Sequence, residues 1–369
     1  MNNNNYQIYF DCGFSKLRVA AYSKTDLNKI YYTESKFFFD HIDIDLEVQK
    51  IITYLEENTK EYINDVNLMI DSTKIFSIGI SISKKIDGSK LKQEDIQFLV
   101  QEAKQQISKN YNNQNITHII INNYKINEID YDYLQTEINC NIISLDILFI
   151  CLPEEMIEYY KNVFYKFNIS INQIICSSYA KAINYKENFP LNKNVSFIDV
   201  GFNKTSITSY VNNKIISLST LPIGGNHITK DISKVLKIDL KEAEKLKLDL
   251  GKNKTFLDDK DFSLELLQKI IFARTEEILE LSTLYIKSNL MTKDQFKMIL
   301  TGDGSRILDN QHKDKISFAN DIDFLDETIE DICQSGFKLV RGSNKQEVVV
   351  VPKKQIKQGF FEKLFHFFK

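Results

Sequence analysis

Two short stretches of this 369-residue chain hold residue types that would do chemistry together. Asp11-Cys12-Gly13-Phe14-Ser15-Lys16 and Asp199-Val200-Gly201-Phe202-Asn203-Lys204-Thr205 each follow a β-rich run and lead into another, Leu17 to Ser23 and Ser206 to Val211. A strand that ends in aspartate and turns through glycine into hydroxyl residues suits phosphate and Mg2+. The carboxylate holds the ion through water, while turn N–H groups and a Ser or Thr hydroxyl bind phosphate oxygens. Facing each other, two such turns would clamp the β- and γ-phosphates of a nucleotide, with Asp11 and Ser15, flanked by Gly13 and Lys16, opposite Asp199, Gly201 and Thr205. Lys204 is open to two readings, a point charge on phosphate or a solvated turn lysine. A third piece, Ile299-Leu300-Thr301-Gly302-Asp303-Gly304, is a glycine turn that would let backbone approach an adenine ring. A strand-end Asp-x-Gly is common in ordinary turns; the order and spacing of all three pieces give the pattern its specificity.

The elements that must position these turns are read from periodicity. Strands are expected at Tyr6 to Phe10, Lys29 to Thr33, Val66 to Asp71, Gln173 to Ser177, Val195 to Asp199 and Met298 to Leu300. Helices are expected at Leu46 to Thr59, Glu154 to Phe167, Ile228 to Leu236, Leu240 to Leu250 and Leu264 to Asn289. The strand-turn-strand unit with a terminal acid occurs twice, about 190 residues apart, which predicts an internally duplicated α/β architecture of two lobes. Between Ser77 and Cys151 the pattern changes to strand, helix (Gln93 to Ser108) and two strands (Thr117 to Asn122, Ile142 to Cys151), an insert-sized unit.

Composition narrows the alternatives. A net charge of −3 and a pI near 6.1 give no global attraction to nucleic acid or an anionic surface. Cys12, Cys140, Cys151, Cys176 and Cys333 show no C-x-x-C pairing and read as reduced core thiols; the five histidines, His41, His118, His227, His312 and His366, show no metal-ligand spacing. No stretch is long and apolar enough to be read as a membrane span. The last dozen residues are different: at about 100° per residue, Phe360, Phe361, Leu364, Phe365, Phe367 and Phe368 share an arc of roughly 160°, opposite Glu362, Lys363, His366 and Lys369. Such a helix would lie in a headgroup plane, aromatic face down, held by Lys363 and Lys369 and reached through the polar, Lys-rich segment Gly342 to Lys357. The plainer reading is a terminal helix docked on its own core.

The ordered set resembles the actin-like ATPase superfamily and, within it, the bacterial cell-division FtsA family. Leu221-Pro222-Ile223-Gly224-Gly225-Asn226-His227-Ile228 is similar to the family's segment after its second phosphate hairpin. Ala243-Glu244-Lys245-Leu246-Lys247 is similar to its A-E-x-x-K helix, and Arg274-Thr275-Glu276-Glu277 to its R-x-x-E helix. The resemblance implies a two-lobed actin-like fold: subdomain 1A at 1–77 and 152–193, an inserted SHS2-like 1C at 78–151, 2A at 194–225 and 299–342, 2B at 226–298, a linker at 343–357 and a membrane-targeting amphipathic helix at 358–369. It implies ATP and Mg2+ between the lobes, with Gly224, Gly225, Glu244, Lys247, Arg274, Gly302, Asp303 and Gly304 joining the two turns around the nucleotide, and Asp11 and Asp199 on the metal. It also implies self-assembly into filaments, the FtsZ C-terminal peptide on 2B, later division proteins on 1C, and a peripheral place on the cytoplasmic face of the cell membrane at the division site.

The departures are part of the reading. Phe202, Asn203, Lys204 and Ser206 stand where the family has Gly, Gly, Thr and Asp; Phe14 replaces a Thr, and Asp303 a Gly. Each lost glycine adds a Cβ, so a reshaped cradle is expected. No residue stands out as a general base, and fast hydrolysis is not expected. The rivals are a PilM-like pilus-assembly adaptor, a true ATPase or kinase of the same superfamily, and a nucleotide-free scaffold.

Overall fold

The structure, a computed structural model, describes residues 5–26, 28–36, 43–135, 138–251, 264–289, 296–307 and 322–342. The expected linker at 343–357 and the aromatic helix at 358–369 lie outside them. In chain order the elements are β1 (Tyr6–Cys12), β2 (Lys16–Ser23), β3 (Ile30–Lys36), α1 (Ile44–Thr59), β4 (Asp65–Ile70), β5 (Phe76–Lys85), α2 (Gln93–Asn110), β6 (Gln114–Ile126), β7 (Ile129–Tyr131), β8 (Ile142–Pro153), α3 (Glu154–Tyr165), β9 (Ser170–Cys176) and α4 (Ser177–Lys186). The second half contributes β10 (Val195–Val200), β11 (Thr205–Val211), β12 (Lys214–Leu221), α5 (Gly225–Leu236), α6 (Leu240–Gly251), α7 (Leu264–Asn289), β13 (Lys297–Thr301), a 3-10 turn Asp303–Ile307, β14 (Ile322–Phe324) and α8 (Ile329–Arg341).

The expected duplication is visible in the strand pairing. One sheet runs β3-β2-β1-β4-β9 and the other β12-β11-β10-β13-β14, with the same antiparallel and parallel steps. Asp11 pairs with Arg18 and Met69, and Asp199 with Ser206 and Thr301, so the two aspartates hold equivalent places. β1 and β10 are central strands buried on both faces, which is why their sequences are nearly continuous apolar runs.

Helices cover the sheets. α1 and α3 pack on the first sheet, and α7 lies against the second through Ile278, Leu279 and Ile286. α4 is buried almost all round, its tyrosines Tyr179 and Tyr185 sharing a core with Phe10 of the first sheet and Phe197 of the second. α8, started by a reciprocal Thr328–Asp331 cap, returns to the first lobe, where Cys333 and Phe337 pack with Tyr9 and Tyr22. The range 299–342, expected in the second lobe, therefore ends in a helix on the first.

The insert is a separate four-stranded sheet, β5-β8-β6-β7, with α2 on one face and its own core around Leu99, Ala103 and Phe149. It also touches the second lobe. Asn122 Nδ2 donates to the Ile215 carbonyl at 2.7 Å and the Leu218 N–H to Ser77 Oγ at 2.8 Å, and just ahead of the insert the Thr73 carbonyl accepts from Thr220 Oγ1 at 2.8 Å. Among the described residues no helix is long and apolar enough to cross a membrane.

Candidate functional site, a cleft between the lobes

The two turns adopt the same local geometry because their sequences match position by position, Asp-x-Gly-Phe-x-Lys in both. The Gly13 N–H donates to the Lys16 carbonyl at 3.0 Å and the Gly201 N–H to the Lys204 carbonyl at 2.9 Å. Both turns line one cleft of about 310 Å3, together with Gly302–Gly304 and the α5–α6 unit. The close approach that the glycine turn predicts is real: Gly302 has φ +90°, and a Cβ there would sit 2.6 Å from the Val200 carbonyl oxygen.

Most of the expected residues meet there. Asp11, Gly13, Ser15, Lys16, Asp199, Gly201, Lys204, Gly225, Glu244, Lys247, Gly302, Asp303 and Gly304 all line the cleft. Three do not. Thr205 is fully buried and donates to the Ile223 carbonyl at 2.8 Å, because its strand position turns it into the sheet. Gly224 lies behind the second turn, where a Cβ would come within 2.5 Å of the Gly201 carbonyl. Arg274 points away from the cleft on α7 and pairs with Asp231 and Glu277, each at 2.6 Å.

Charge inside the cleft is paired, and largely across it. Lys181 of α4 contacts Asp199 at 2.5 Å and Glu327 at 3.1 Å. Lys204 of the second turn contacts Asp71 of the first lobe at 2.8 Å and Ser178 at 3.2 Å. Lys16 and Arg18 reach Asp303 of the second lobe at 2.6 and 2.5 Å. Asp11 accepts from Arg18 at 3.0 Å and from Ser177 Oγ at 2.6 Å. Lys247 donates to Glu244 at 2.6 Å, Thr229 at 2.7 Å and the Gly225 carbonyl at 3.0 Å, so the pair joins α6 to α5 from inside rather than decorating a surface.

These surroundings set the ionisation. Burial alone would raise the Asp199 carboxyl, but Lys181 and Lys204 outweigh it and hold the group below the usual range. Burial pushes Asp71 up, only partly offset by Lys204, and does the same to Glu327 against Lys181. At Asp303 burial is overcome by Arg18 and Lys16, and the carboxyl falls from 3.8 to about 2. A depressed acid stabilises the fold above its unfolded value and loses that contribution as pH drops through its folded one. Asp303→Asn is therefore expected to cost about 1 kcal/mol at neutral pH, a modest figure because part of the side chain faces water, and the gap to the unsubstituted protein should close between pH 3.8 and about 2 in urea titrations.

The sequence reading missed Arg18, Asp71, Ser177, Lys181 and Glu327, all of which line the cleft. Asp71 had a signal, since it directly follows β4 and is a third strand-end acid. Lys181 had a weaker one, a lone cation in Ser177-Ser178-Tyr179-Ala180-Lys181-Ala182.

Asp11 and Asp199, the two carboxylates assigned to the water shell of Mg2+, both accept from protein cations, and Lys181 and Arg18 would repel a divalent ion brought beside them. The residues present do not fit Mg2+ at that point. Glycine turns and basic side chains nonetheless line the cleft together, a lining that suits phosphate oxygens.

Comparison with known proteins agrees with this geometry. The family model described as cell division protein FtsA matches residues 196–310. FtsA of Buchnera aphidicola subsp. Acyrthosiphon pisum (strain APS) is 24% identical over 352 residues, 83% of this chain and 83% of that protein. FtsA of Bacillus subtilis (strain 168) is 32% identical over 128 residues, and the chain spans 29% of that protein's length in the match. Among solved structures, the PilM-PilN type IV pilus biogenesis complex superposes with a TM-score of 0.61 at 11% identity, covering 88% of this chain and 89% of that one. MreB5 of Spiroplasma citri bound to ADP gives 0.50 at 13% identity, covering 93% and 98%. The structural likenesses show the fold, an actin-like ATPase fold, and the sequence matches are to FtsA proteins. The chain is thus similar in sequence to FtsA cell-division proteins, over residues 196–310 in the family model and at 24% identity over most of its length, and it has an actin-like ATPase fold.

Proposed function

We propose that the protein is an actin-like membrane adaptor of the division ring, holding ATP between its lobes, assembling with copies of itself, and tethering FtsZ filaments to the cytoplasmic face of the membrane. The observation that carries this reading is the pair of matching Asp-x-Gly-Phe-x-Lys turns on one cleft, in a chain whose residues 196–310 match the FtsA family model. ATP would sit between the turns with its base toward Gly302–Gly304 and its ribose toward the α5–α6 unit. The helical part around α5, α6 and α7 would take the FtsZ C-terminal peptide, and the inserted sheet would face neighbouring copies and later division proteins. Turnover would be slow, because the two cleft acids that burial raises, Asp71 and Glu327, already accept from Lys204 and Lys181 and are not free to take a proton from water. A pilus-adaptor reading rests on fold likeness alone.

A short aromatic helix binds membrane marginally as a monomer, whereas many on one filament bind firmly. Removing residues 359–369 is expected to abolish co-sedimentation with anionic vesicles while leaving the melting transition in place, and Phe361→Glu with Phe365→Glu should do the same. Vesicle binding that survives both changes would overturn the membrane part of the reading.

A further inference from the structure

The cleft's counter-charges belong to the protein. Resting on the reading that a nucleotide occupies this cleft, we propose that it is bound without a divalent cation, its phosphates received directly by Lys16 and Arg18 in exchange for Asp303. A bridging Mg2+ is held by carboxylates whose negative charge is not already neutralised by a protein cation. The strand-end acids are each already paired with a cation: Asp11 holds Arg18 and Ser177, Asp199 holds Lys181, and Asp71 holds Lys204 and Ser178. An ammonium or guanidinium bound to each acid already supplies the positive charge that an ion would bring.

The basic side chains divide into two kinds. Lys204 is 4% exposed and spends its three N–H bonds on Asp71, Ser178 and Ser206, so it neutralises the cleft floor and has none left for a ligand. Lys16 and Arg18 have donors to spare. Their shared acceptor, Asp303, is the partly exposed one, with 35% of its side chain in solvent against 19% and 14% for the two cations. A phosphate offers the same oxygens as that carboxylate with more charge, and a guanidinium receives it in the same forked geometry. Displacing Asp303 frees Lys16 and Arg18 together for the ligand.

The test is ATP binding to the full chain by calorimetry, once in EDTA and once in excess Mg2+. The expected result is dissociation constants within about threefold of each other, with Lys16→Met weakening binding in EDTA about tenfold and Asp303→Asn strengthening it. A requirement for Mg2+ of tenfold or more would overturn this inference and leave the nucleotide reading standing. Absence of ATP binding in both buffers would overturn both. Binding in EDTA that ignores Lys16→Met and Asp303→Asn would overturn the assignment of the phosphates to Lys16 and Arg18.

Discussion

Lys181→Met is expected to cost about 3–5 kcal/mol of unfolding free energy, the largest loss of any single cleft substitution. The lysine is 7% exposed and sits between Asp199 and Glu327, and the methionine would leave two buried carboxylates facing each other with no cation between them. Most of the loss is therefore the penalty of stranded charge, not the worth of the ion pair. Adding Asp199→Asn and Glu327→Gln to the same chain removes that penalty and should restore the greater part of the stability. Urea denaturation of the single and triple variants measures both; a single-variant loss under about 1 kcal/mol would mean that water reaches these carboxylates freely.

Gly302→Ala is expected to cost at least about 3 kcal/mol, by a different route. Its φ of +90° lies where L side chains rarely go, and the new Cβ would press on the Val200 carbonyl oxygen at 2.6 Å and on the Asp199 carboxylate. Neither neighbour is the free end of a flexible chain, so β13 would have to part from β10 at the cleft floor. Gly79, whose Cβ would meet nothing within 4 Å, is the internal control: Gly79→Ala should leave the urea midpoint unchanged or slightly raised. Equal behaviour of the two variants would contradict the packing described here.

How much of this was legible in sequence follows from what periodicity records. The twofold repeat of strand, acid, glycine turn and strand was readable, since β1 and β10 are apolar runs punctuated by the same residues. α4 was not read as a helix, because eight of its ten residues are buried and a helix without a polar face leaves no 3.6-residue pattern. α8 was overlooked although the cap Thr328 with Asp331 and a strong apolar stripe announced it. Asp11 and Asp199 were placed at the cleft but given to a metal, because sequence shows which acids end strands and not which cations arrive from elsewhere in the chain. Arg18 supplies the cation to Asp11 from the neighbouring strand and Lys181 supplies it to Asp199 from the other lobe. Arg274 was assigned by likeness to a motif, and α7 turns it outward.

The inserted sheet has a mechanical meaning that its topology does not announce. It is continuous with the first lobe through β4 and α3, yet Ser77, Asn122 and the Thr73 carbonyl hold the second lobe's edge strand β12 at Leu218, Ile215 and Thr220. These bonds flank the apolar core that Phe10, Tyr179 and Phe197 share, so the insert is a buttress that holds β12 against the first lobe.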